Sequence, residues 1–133
     1  MAEPSANAEL GDPAYGSDVK AVTYEAGEAL TAGDVVAIAS GEAVAAEDTT
    51  NTNPIGVAGE DATDGDNITV YTEGPVIANA ATGVSAGEAL TVSGTDGQLA
   101  AGAGKFDALT DEGAVAGLSA GYGLADNAAV VRF

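Results

Sequence analysis

Residues 65–80 read GDNITVYTEGPVIANA, and this stretch decides the fold. From Asn67 to Thr72 the side chains alternate. Ile68, Val70 and Thr72 fall on one side, and Asn67, Thr69 and Tyr71 on the other. A two-residue period rich in β-branched residues marks a half-buried strand. Asp64-Gly65-Asp66 before it and Glu73-Gly74-Pro75 after it are turn sequences, and Pro75–Ala80 opens a second apolar run. Gly accepts backbone angles that other residues resist, and Pro cannot continue a ladder.

The same grammar extends in both directions. Short runs rich in Val, Ile and Thr predict strands at Val19–Tyr24, Asp34–Ser40, Glu42–Ala45, Ile55–Gly59, Asn67–Thr72, Pro75–Ala80, Ala89–Ser93, Gln98–Ala101, Ala114–Leu118 and Ala128–Phe133. Thr95-Asp96-Gly97 predicts a hairpin between two of them, because Asp-Gly accepts the positive φ of a tight turn. Helix is scarce. Ala78–Val84 and Asp107–Gly113 are each long enough for a single turn and lack the apolar period of a packed helix. The expected class is all-β, a small barrel or sandwich of short strands forming one domain over residues 19–133. Residues 1–18, with Pro4, Gly11, Pro13 and Gly16, read as an extended N-terminal arm whose sizeable apolar side chains are Leu10 and Tyr15.

One hexapeptide recurs. Ala26-Gly27-Glu28-Ala29-Leu30-Thr31 returns word for word as Ala86-Gly87-Glu88-Ala89-Leu90-Thr91. A weaker echo links Asn53–Ala58 to Gly113–Gly117 at a similar spacing. Together they predict two similar β-units packed in one barrel.

The chain has 133 residues, 46% of them hydrophobic, but Ala inflates that figure. Bulky Val, Ile, Leu and Phe are sparse, so burial at ~25 cal/mol per Å² stabilises weakly, and partner subunits are expected to add to it. Twenty-one Asp and Glu oppose three cations, Lys20, Lys105 and Arg132, for a net charge of −18. The acids are spread along the chain rather than gathered in one block. Spread acid with scarce Lys fits a protein of a halophile, where salt screens the repulsion. The same charge argues against nucleic acid, which needs a basic stripe to displace counterions. No apolar run approaches the length that spans a bilayer, and the start lacks the basic and apolar regions of a secretory signal.

The chemistry of catalysis is thin. The chain has no His and no Cys, so triads and thiolate or imidazole metal sites are ruled out. No Ser sits in a nucleophile elbow, and no phosphate-loop motif occurs. The best cation candidate is Glu60–Asn67, but its spacing departs from a calcium loop, and a solvated turn is the simpler expectation. No enzyme, no cofactor and no resident metal are expected. Tyr15 and Tyr122 stand in loop-like contexts and are candidate contact residues; Tyr24, Tyr71, Phe106 and Phe133 read as core or barrel-end plugs.

The order of features also resembles a family. Ala32-Gly33-Asp34-Val35-Val36 is followed by Gly56-Val57-Ala58, the Gly65-Asp66 turn, Val70-Tyr71-Thr72-Glu73-Gly74, Ala114–Leu118 and a last strand with Arg132. This order, over roughly residues 20–133, resembles the capsid cement (head decoration) proteins of tailed phages. The acid load and the proline-containing arm depart from the family pattern. The resemblance implies a non-enzymatic β-barrel subunit on the outer surface of a virion. It would bind the major capsid protein, with itself as a homotrimer at local threefold positions, and touch neither nucleic acid nor membrane. With the charge, it implies a tailed virus or provirus of a halophilic archaeon. The candidate capsid or subunit contact residues are Leu10, Tyr15, Tyr122, Arg132 and Phe133. Two other readings of the residues stay open. One is a carrier-type barrel of biotinyl or lipoyl kind, for which neither Lys20 nor Lys105 has the flanking motif. The other is a cell-surface β-module.

Overall fold

A computed structural model describes residues 10, 11, 13, 19–49, 52–110 and 128–133. The described chain is all-β. It runs β1 (Lys20–Glu25), β2 (Val35–Ala39), β3 (Glu42–Ala45), β4 (Pro54–Ala58), β5 (Asn67–Glu73), β6 (Val76–Asn79), β7 (Ala89–Val92), β8 (Leu99–Ala101), β9 (Phe106–Ala108) and β10 (Ala128–Arg132). The strands predicted from Val19 through Ala101, and the last from Ala128, all form. The run Ala114–Leu118 lies outside the described residues. The predicted hairpin also forms, with β7 and β8 paired antiparallel.

Two five-stranded antiparallel sheets result, ordered β1-β5-β4-β2-β3 and β6-β10-β9-β7-β8. Each sheet uses a contiguous half of the strands, and the two orders are the same when each is numbered from its own first strand. The chain is thus a two-unit repeat, unit 1 from β1 to β5 and unit 2 from β6 to β10. Detail supports the match. The residue after the first strand makes a parallel bridge to the third strand in both units, Ala26 to Ala43 and Ala80 to Leu99. The next residue then donates its N–H to the same partner, Gly27 to Ala43 O and Ala81 to Leu99 O. Among the described residues these bridges are where each sheet curls toward closure, and neither sheet closes into a continuous barrel.

The echoed hexapeptide does not carry this repeat. By topology Ala26 corresponds to Ala80, and Ala86 corresponds to Ala32. The equivalent segments are Thr31-Ala32-Gly33-Asp34 and Ser85-Ala86-Gly87-Glu88, each leading into the second strand of its unit. Both are the same turn, closed by Asp34 N–H to Thr31 O at 3.0 Å and Glu88 N–H to Ser85 O at 3.2 Å. Gly33 and Gly87 sit at φ +92° and +91°, the third position of a type II turn, which only Gly occupies without strain.

Burial follows the strand period. In β2, Val36 points into a cluster inside unit 1 with Ile68, Val70 and Leu30. Its neighbours Val35 and Ala37 point the other way, into a second cluster shared with unit 2 through Val76, Leu90, Leu99, Phe106 and Val131. This strand is buried on both faces, which is why it reads as a continuous apolar run. The seam is also hydrogen-bonded. Gly97, at the tip of the β7–β8 hairpin, donates to Ala46 O at 2.8 Å and accepts from Val35 N–H at 2.9 Å, and Asn79 N–H donates to Gly33 O at 2.9 Å.

The scarcity of helix is borne out among the described residues, and Ala78–Val84 and Asp107–Gly113 contain no helix where they are described. Ala78 and Asn79 end β6, Asp107 and Ala108 end β9, and Ala80 is held by its bridge to Leu99. Strand partners from the rest of unit 2 satisfy this backbone, and a lone turn has no such partner. Strand β9, Phe106-Asp107-Ala108, is the element that the pattern missed.

Candidate functional site

The two units leave an apolar recess at one end of their seam. Its volume is about 390 Å³, and it is lined by Tyr24, Pro54, Ile55 and Thr72 of unit 1 and Lys105, Phe106 and Phe133 of unit 2. Phe106 forms its floor. It is 1% exposed and stacks on Phe133, with ring centroids 4.7 Å apart and planes tilted by 40°. Strand β9 points Phe106 inward, and β10 delivers Phe133 one residue past its last paired position. Offset and tilted aromatic pairs of this kind add about 0.5–1.5 kcal/mol beyond simple burial. Phe133 remains half-buried, so one side of its ring belongs to the recess.

A single cation stands at the rim. Lys105 Nζ donates to Asn53 Oδ1 and, at 3.2 Å, to the Pro54 carbonyl. Lys105 therefore ties the bend before β9 to the entry of β4 and is not presented at a free hairpin tip. The other two cations pair at the surface, Lys20 with Glu73 at 3.6 Å and Arg132 with Asp107 at 3.5 Å. Such exposed pairs contribute about 0–1 kcal/mol each.

Six carboxylates accept hydrogen bonds from backbone N–H groups. Asp34 Oδ2 accepts from Thr31 N–H at 2.9 Å and Glu88 Oε1 from Ser85 N–H at 2.8 Å. Asp66 Oδ2 accepts from both the N–H and the Oγ1 of Thr63. Glu60 accepts from Thr69 N–H, Asp61 from Ala32 N–H and Glu28 from Ala45 N–H. In the Glu60–Asn67 loop, Glu60, Asp61 and Asp66 thus turn to separate backbone donors. Among the described residues no group of three His, Cys, Asp or Glu could hold a metal ion. Burial raises the Asp34 carboxyl above its ordinary pKa, against the lowering by the Thr31 N–H and the Asn79 side chain, and nearby Asp61 and Glu28 raise it further. The hydrogen bonds from Thr63 hold Asp66 below its ordinary value.

The candidate contact residues separate. Phe133 lines the recess, and its neighbour Arg132 is exposed beside Asp107. Leu10 packs on unit 1 of its own chain, where a Cβ added at Gly33 would come within 2.6 Å of it. Gly11 donates to Ile77 O, and Pro13 bridges to Val76. This part of the arm therefore lies on the edge of β6. Tyr15 and Tyr122 lie outside the described residues. Sequence reading missed Tyr24, Ile55 and Lys105 as partners of Phe133, because nothing local marks residues that meet only when two sheets pack.

No protein-family profile matches the chain, and no curated protein sequence matches it.

Proposed function

We propose that this chain is a structural virion protein that binds the outside of an assembled capsid shell and stabilises it by bridging major capsid proteins. The shell is that of a tailed virus of a halophilic archaeon. The observation that carries the proposal is the apolar recess between the units, framed by Tyr24, Ile55 and Phe133 on a chain of net charge −18. An open apolar hollow with one cation at its rim is suited to receiving a partner side chain, with aromatic walls as anchors. Its lining is mostly apolar, and its one charged group, Lys105, is tied to Asn53 and the Pro54 carbonyl, so adhesion is the chemistry it favours. The order of sequence features that resembles the cement proteins supplies the partner class.

The test is direct. Purified chain is added, in molar salt, to mature tailed-virus shells lacking their cement. Saturable binding and a higher temperature of shell rupture are expected, and Phe133→Asp should weaken both. Shells that bind none of the wild-type chain would refute the proposal.

A further inference from the structure

The internal repeat exposes two half-contacts that match each other. Within the chain, unit 1 packs on unit 2 through equivalent pieces whose environments can be compared position by position. The outer edge of β6 is covered. Ile77 O accepts from Gly11, and Asn79 N–H donates to Gly33 O in the Thr31–Asp34 turn. Unit 1 has the same edge on β1. Ala26 N–H donates to Asp66 O on the β5 side, whereas Gly27 N–H donates to Ala43 O on the other side. Alternation along the strand then turns the N–H groups of Thr23 and Glu25 away from β5. These are the equivalents of Ile77 and Asn79. Among the described residues no backbone carbonyl meets these outward N–H groups, and Thr23 and Glu25 are exposed where Ile77 is 1% exposed.

Among the described residues the second half is exposed as well. Gly33, which meets the β6 edge, is buried, and its equivalent Gly87 is exposed, with open space where a Cβ would stand. Val35 and Ala46, which receive the hairpin tip Gly97, are both buried. Their equivalents are Ala89 and Gly102, identified by the matching bonds Ala46 N–H to Val35 O and Gly102 N–H to Ala89 O. Ala89 is exposed and Gly102 only half-buried. The hairpin tip that corresponds to Gly97 is Gly41, also exposed with open space around it.

We propose that copies of this chain associate head to tail by repeating their internal seam. The Gly87 turn and the start of β7 of one copy meet the β1 edge and the Gly41 hairpin tip of the next. The contact is heterologous, with different patches on its two sides, so it extends beyond a pair and closes into a ring when the rotation allows. Glu25 replaces Asn79 at this contact and faces the turn that holds Glu88, so the association is stronger in high salt, where like charges are screened. The inference does not rest on the capsid reading, and its test contains no shell.

Sedimentation velocity of the intact chain, across concentrations in molar salt, is expected to show a mass above the 12.8 kDa of one copy. Thr23→Pro removes an outward N–H that β5 does not use, and Ala89→Glu adds bulk and charge to the other half. Each variant alone is expected to be a monomer with the wild-type circular-dichroism spectrum. Mixed in equal amounts, the two should form a one-to-one dimer, because each retains the half that the other has lost. A contact made by one self-complementary patch gives no such rescue. Wild-type chain that stays monomeric at every concentration overturns the proposal whatever the variants do. Variants that remain multimeric, or a mixture that remains monomeric, overturn it as well.

Discussion

Gly33→Ala and Gly87→Ala form a matched pair, because the repeat places the same turn in two different surroundings. Both glycines hold φ near +90°, and an Ala in left-handed backbone costs roughly 1–2 kcal/mol. The strain is therefore common to both. The surroundings differ. A Cβ at Gly87 meets nothing within 4 Å, whereas at Gly33 it would stand 2.6 Å from Leu10 Cβ and 2.8 Å from Leu10 Cδ2. Overpacking of this kind costs about 1–3 kcal/mol. Gly87→Ala should lose about 1–2 kcal/mol and Gly33→Ala about 2–5 kcal/mol. Urea unfolding followed by far-UV circular dichroism, in dilute protein at fixed molar salt, gives both values. Adding Leu10→Ala to Gly33→Ala removes the clashing atoms and should return most of the excess. Equal losses in the two single variants would mean that Leu10 does not pack on the Thr31–Asp34 turn, and the account of the arm and seam would fail.

Phe106→Ala empties the floor of the recess and should cost about 3–5 kcal/mol, read in the same urea experiment; a loss under about 1 kcal/mol would deny it a core role. For Asp34 the raised pKa means that the folded state holds its proton to higher pH than the unfolded chain does. Stability therefore falls as pH rises from the ordinary carboxylate value through the folded one. Asp34→Asn should gain on wild type across that window, and a gain that is flat with pH would refute the cause. Asp66 has the opposite sign. Its contribution is present above the ordinary value and is lost as pH falls through the lowered folded one, so Asp66→Asn should narrow its deficit to wild type on acidification. With a net charge of −18, moving the free chain from molar salt to tens of millimolar lengthens the Debye length from ~3 Å to more than ~10 Å. It should then expand or unfold, and an unchanged circular-dichroism spectrum would count against adaptation to high salt.

Most of the strands were legible because their signals are local. The alternation of Asn67–Thr72 and the Asp64-Gly65-Asp66 and Glu73-Gly74-Pro75 turn sequences on either side depend only on neighbours in sequence. Strand β9 was illegible because Phe106-Asp107-Ala108 is too short to show a period. It is a strand only because β7 and β10 flank it. The repeat was half visible. The hexapeptide echo pointed to two units, but topology aligns Thr31–Asp34 with Ser85–Glu88 and puts the two copies of the word at different places. The recess was not visible at all, since Tyr24, Ile55, Lys105 and Phe133 meet only across the seam. By itself the sequence determined where the chain extends and where it turns, since those choices are set by each residue's own backbone and nearest neighbours. Only the tertiary structure decided which edges are covered, because that depends on contacts between residues far apart in the chain.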